Sequence, residues 1–224
     1  MQHCHNITLD IFNSLPFYIS SLMLVKMTNL QLVLGPQSLS NIGELILIQS
    51  SLKGDVSVMT KTRTVLTIEN CTFYNRLKIY SRHKERNMFY LAENVFSGEV
   101  EIFVKHVSDD KEGVINYDDS WLILRENQFK NHPRIFIENM GTIIHRNTFK
   151  IRNISTVGTI IASHYVNITN NIFETHVDSK FGFHGYLIAE KKMDDVTDVF
   201  DLEIVETQRK VSIGKNTLVR YYQN

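Results

Sequence analysis

Apolar and polar residues alternate in short runs along most of the chain, and one run recurs. Leu66-Thr-Ile68, Phe89-Tyr-Leu91, Leu122-Ile-Leu124 and Val166-Asn-Ile168 each set apolar side chains two residues apart, the period of a strand with one buried face. Each run is followed at a fixed offset by a small or amide residue and then a Phe: Cys71 and Phe73, Asn94 and Phe96, Asn127 and Phe129, Asn171 and Phe173. Weaker copies are the Leu66 run, with Cys71 in place of Asn, Thr142-Ile-Ile144 with Asn147 and Phe149, Val211-Ser-Ile213 with Asn216 and Leu218, and Leu45 and Leu47 with Ser50 and Leu52. Met23 and Val25 with Thr28 and Leu30 extend the series toward the N-terminus, and Asp198-Val-Phe200 is a degenerate copy.

The anchors recur on average about every 23 residues, a solenoid period in which no repeat buries its apolar residues alone and successive repeats cover one another. A leucine-rich repeat shares part of the string but needs another buried Leu eight residues before the Asn. Here that position holds Arg63, Arg86, Asp119, Asn139, Ser163 and Gln208. Alternation instead resumes after the Phe, as in Leu77 and Ile79, Val100, Ile102 and Val104, and Ile135 and Ile137. Strands on both sides of the Asn, with no outer helix, predict an all-β right-handed parallel β-helix. About nine coils of roughly 20–24 residues are expected, with Asn94, Asn127, Asn147 and Asn171 laddered at a turn and a Phe stack inside. Residues 1–224 form one domain in this reading, either complete or a fragment of a longer solenoid.

The repeat resembles the pectate-lyase-like β-helix superfamily, over about residues 20 to 222. That resemblance implies a choice between a polysaccharide lyase or glycoside hydrolase and a non-catalytic recognition or structural module, because the fold hosts both.

Composition narrows the choice. The 224 residues carry 24 Lys plus Arg and 24 Asp plus Glu, so no overall field draws nucleic acid, and none is expected as a partner. Only 10 Gly and 3 Pro against 43% hydrophobic residues exclude a disordered chain. Cys4 and Cys71 fall about three coils apart, roughly 14 Å, beyond the ~7 Å Cα reach of a disulfide. The longest apolar stretch, Leu15 to Val25, is interrupted by Ser20 and Ser21 and is too short to span a bilayer. No basic segment leading an apolar run opens the chain.

Two stretches break the spacing, near 108–120 and 180–187. Excursions from a solenoid often carry its function. In the first, Asp109 and Asp110 are candidate binding carboxylates and Tyr117 and Trp121 candidate sugar platforms. If the protein is an enzyme, Asp118 and Asp119 are the acid–base pair. The second holds Phe183-His184-Gly185, which resembles the Gly-His-Gly of polygalacturonase-type hydrolases and makes His184 a positioning group. The Asn-Thr-Asp and Arg-Ile-Lys of those enzymes are absent. His132 and His176 share a column two coils apart, roughly 10 Å, too far to hold one ion, so no metal or cofactor is expected.

Arg76, Lys78, Arg82, Lys84 and Arg86 form a basic zone. The acids Glu99, Glu101, Asp109, Asp110, Glu112, Asp118 and Asp119 follow on the next coil. Mutual neutralisation across the stack is one reading; a patch at Arg82 and Arg86 for a sulfated glycan or a protein partner is the other. Sequons at Asn6, Asn70, Asn153 and Asn167 suggest a secreted or extracellular glycoprotein, with Asn167 and Asn153 as candidate acceptors. The expected function is therefore a non-catalytic module binding carbohydrate or a protein on its outer face. Oligomeric state is left open.

Overall fold

The computed structural model describes residues 1–11, 19–34, 42–60, 63–107, 120–131, 133–151, 159–162, 165–177, 202–204 and 210–222. They form an all-β parallel solenoid with no helix among them. Three sheets of eight, eight and seven strands run the length of the stack. Sheet I contains Ile19–Val25, Ile42–Ile48, Val65–Glu69, Met88–Ala92, Trp121–Arg125, Gly141–His145, Tyr165–Thr169 and Lys210–Gly214. Sheet II is built of short strands bearing the Phe anchors, from Ser51–Leu52 to Thr217–Tyr222. Sheet III holds the strands that follow, among them Val56–Thr60, Leu77–His83, Val100–His106 and Arg134–Glu138. Every inter-strand pairing is parallel, so like residues fall above like at the ~4.8 Å strand spacing.

The alternating pattern forms these strands because each has one face to bury. Leu66 and Ile68, Phe89 and Leu91, and Leu122 and Leu124 are all fully buried and stack in register. At the sheet I–II corner, the Asn94 amide donates Nδ2–H to Ile68 O and to Asn127 Oδ1, which also accepts the Asn94 backbone N–H. Asn127 repeats this toward Asn147, Asn147 toward Asn171, and Asn171 toward Asn216. Each buried amide is thereby satisfied, which offsets a desolvation cost of about 1–3 kcal/mol per orphaned group. Beside them, the rings of Phe73, Phe96, Phe129, Phe149 and Phe173 follow one another at centroid separations of 4.9–5.0 Å.

The residue just before each corner position adopts a left-handed conformation, although none is glycine: Lys26, Gln49, Asn70, Glu93, Glu126, Arg146, Asn170 and Lys215 have φ between 49° and 59°. The turn needs it, because this conformation aims the N–H of Gln49 at Glu69 O, and that of Glu93 at Arg125 O, on the next coil.

Two expectations need correction. Leu22 and Leu24 lie above Leu45 and Leu47, whereas Met23 points outward and is 43% exposed. The first copy is therefore offset by one residue, and a one-residue slip exchanges the faces of a strand. Met27, not Thr28, takes the corner position, its N–H bonded to Ser50 Oγ; a second left-handed residue, Asn29, absorbs the offset so that Leu30 still turns inward. At the other end Phe173 pairs directly with Leu218, so no Phe200 strand intervenes in sheet II. Residues 178–201, which include that copy, lie outside the described residues.

Candidate ligand-binding face

The outer face of sheet III carries the strongest clustering of interaction chemistry among the described residues. Three successive strands align Leu77-Lys-Ile-Tyr80, Val100-Glu-Ile-Phe103 and Pro133-Arg-Ile-Phe136. Ile79, Ile102 and Ile135 point inward, so Tyr80, Phe103 and Phe136 point outward, one above another. Their rings stack at 4.9 and 4.6 Å with interplanar angles of 8° and 6°. Stacked rings cover each other's faces and leave their edges outward, and ring edges carry the positive end of the aromatic quadrupole.

Charged columns flank this ribbon. On one side Glu101 lies between Lys78 and Arg134, 3.5 Å from each. Next to them Arg76 meets Glu99 at 2.7 Å, and this hydrogen bond holds the Glu99 carboxyl below its usual range. On the other side Lys105 pairs with Glu138 and lies in register with Arg82. The zones therefore neutralise one another only in part: the columns beside the ribbon hold Lys78, Arg82, Lys105 and Arg134 against Glu101 and Glu138, a surplus of cations. The exposed Lys84, Glu85 and Arg86 occupy the adjoining turn.

The other candidates fall as follows. Asp109, Asp110, Tyr117, Asp118, Asp119, Asn153 and His184 lie outside the described residues. Ser120 is buried and its hydroxyl accepts the Asn87 N–H, so the first excursion ends before it. Trp121 stands on the outer face of sheet I with its ring seated over Gly141, where a Cβ would come within 2.6 Å of it, and edge-on to Tyr165 at 5.2 Å. Asn167 is half-buried and its Oδ1 accepts from Thr169, while the sequon residue Asn70 is exposed on its left-handed turn. Both cysteines are free; burial pushes the Cys71 thiol up to about 11.

Sequence reasoning missed Tyr80, Phe103 and Phe136. The signal was the aligned string apolar, charged, Ile, aromatic, visible once the strands after the Phe anchors are superposed. It also missed a polar interior at the sheet III–I corner, where His83 is fully buried, shares a 2.8 Å hydrogen bond with Ser81 and faces His106 at 5.3 Å. A shallow groove of about 450 Å³ runs beside the first coils, lined by turn residues including His3, His5, Lys26 and Gln49. No group of three His, Cys, Asp or Glu converges as a metal site among the described residues, and no helix among them is long and apolar enough to cross a membrane.

No family model matches the chain, and neither the curated proteins nor the solved structures contain a match to it.

Proposed function

We propose that this chain is a non-catalytic recognition module of the right-handed, pectate-lyase-like β-helix type. In this reading about nine coils are joined by one continuous asparagine ladder and phenylalanine stack, and the module works outside the cell on an extended acidic carbohydrate. The observation that carries the reading is the Tyr80–Phe103–Phe136 ribbon bordered by surplus cations. Ring edges and ammonium or guanidinium groups both favour anionic oxygens, and the ribbon repeats them at the ~4.8 Å coil spacing. A neutral sugar would instead stack on an open ring face, and Phe103, stacked on both sides, offers none. Right-handedness follows from the strong preference of parallel crossovers, and the exposed sequon at Asn70 supports an extracellular setting.

The test is binding of polygalacturonate, heparin and neutral dextran to the chain and to Phe103→Ala and Arg82→Glu. Expected is salt-dependent binding of one or both acidic polymers, weakened at least tenfold by either substitution, with dextran inert. Equal binding of dextran, or acidic binding indifferent to both substitutions, would refute it. Release of reducing ends or unsaturated products, abolished by Asp118→Asn and Asp119→Asn, would replace the module with an enzyme.

A further inference from the structure

The outer face of sheet I differs in kind from that of sheet III. Across the six strands from Ile42–Ile48 to Tyr165–Thr169, the outward positions carry only Glu44, Glu69 and Arg125 as charged residues. The middle column, read from the strand Ile19–Val25 onward, is Met23, Ile46, Thr67, Tyr90, Ile123 and Ile143, with no charge at all. Met23 and, in the neighbouring column, Met88 are more than two-fifths exposed. Trp121 lies flat over Gly141 beside them, widening the apolar surface. Depletion of charge with enrichment in Tyr, Trp and Met marks the core of a protein interface.

We propose that two copies of the chain pair antiparallel through this face, about a twofold axis that runs along the strand direction at Tyr90. Charge complementarity selects the occupant and the orientation. With the axis there, Val65–Glu69 faces the partner's Trp121–Arg125 strand in the same column order. Glu69 then meets the partner's Arg125 twice by symmetry, Val65 meets the partner's Trp121, and Ile46 meets the partner's Ile143. Tyr90 meets itself beside the small Ala92. The parallel alternative, with the axis along the solenoid, would set Glu69 against Val65, Arg125 against Trp121 and Glu44 against Ile48, three charges per copy on apolar groups, whereas the antiparallel pairing leaves only Glu44 so placed, opposite the partner's Gly141. Seven strands at ~4.8 Å spacing and three outward positions each give a footprint on the order of 600 Å² per copy, near the ~800 Å² per partner of a standard interface. The pairing is independent of the sheet III ligand face.

Sedimentation equilibrium of the purified chain tests this. Expected is a dimer at micromolar concentration, with the fluorescence of Trp121, the sole tryptophan, shifting to the blue as concentration rises. Glu69→Arg and Arg125→Glu each weaken dimerisation tenfold or more, and the double exchange restores it. Circular dichroism and the melting point, at a concentration where all forms are monomeric, check that each variant is folded. A monomeric wild type at about 100 μM, single reversals that leave the dimer intact, or a double exchange that fails to restore it would each overturn the proposal. Loss of dimerisation with retained polygalacturonate or heparin binding separates this face from the ligand face.

Discussion

Acid should weaken this fold through one buried imidazole. His83 has no exposed surface, bonds Ser81 through Nδ1, and its Nε2 has no hydrogen-bond partner among the described residues. Burial, and secondarily the ring of His106, depress its pKa from 6.5 to about 3. The unfolded chain therefore binds a proton that the folded chain refuses everywhere between those values. Stability is complete above pH 6.5 and falls as pH drops through the window, by about 1.4 kcal/mol per unit. Between pH 7 and pH 5 the loss attributable to His83 is roughly 2 kcal/mol, a large share of a typical 5–15 kcal/mol total. Urea unfolding followed by Trp121 fluorescence at the two pH values measures it. His83→Gln removes the ionisable group and should flatten this part of the pH dependence, whatever it does to stability at pH 7. Equal losses in wild type and variant, or an imidazole resonance of His83 titrating near 6.5, would refute the reasoning.

Replacing Asn127 by Ala strips an acceptor from the Asn94 N–H and Nδ2 and a donor from Leu91 O. The urea midpoint should fall by an amount worth at least about 3 kcal/mol with an unchanged m-value; a cost below about 1 kcal/mol would mean the corner amides are dispensable. At Gln49, whose φ is 49°, Gly should be neutral to within about 0.5 kcal/mol, relief of strain offsetting unfolded-state entropy, whereas Val should cost about 1–2 kcal/mol. Thermal melts of the two variants compare them directly. Cys71, buried with its thiol pushed up to about 11, should react with a thiol probe only on unfolding. In denaturant both cysteines should react without prior reduction, as counted by mass spectrometry.

The interior of this fold was legible because a solenoid repeats the same physical requirement in every coil. Leu124, Asn127 and Phe129 each meet a like residue or a close equivalent above and below, so the string recurs and can be found by self-comparison. Legibility failed where one residue was inserted without changing composition. Around Met23 the neighbouring residues are apolar on both faces, Leu22, Met23, Leu24 and Val25, so alternation cannot choose a register there. The interaction with the next coil chooses it instead. The left-handed column shows itself only as a ban: its residues are all polar and none is β-branched, which periodicity searches do not register.

The outer faces were harder for a reason built into the same geometry. An outward position in a parallel sheet meets its neighbour one coil away, which may lie 20 or 33 residues distant. Ion pairs and ring contacts such as Lys78–Glu101–Arg134 and Tyr80–Phe103–Phe136 therefore appear only after the coils are aligned. Inward residues must conserve volume from coil to coil, since a mismatch leaves a void or a clash. Outward residues bear no such constraint, so a face can be apolar on sheet I and charged on sheet III without altering the core beneath. Surface chemistry that departs from the usual mixture of scattered charges is then the informative quantity. The uncharged column from Met23 to Ile143 and the cation-bordered ribbon from Tyr80 to Phe136 are two such departures, on different sheets and of opposite character. On the two proposals made above, one solenoid holds a ligand on one face and a second copy on another, and neither contact touches the stack that supports both.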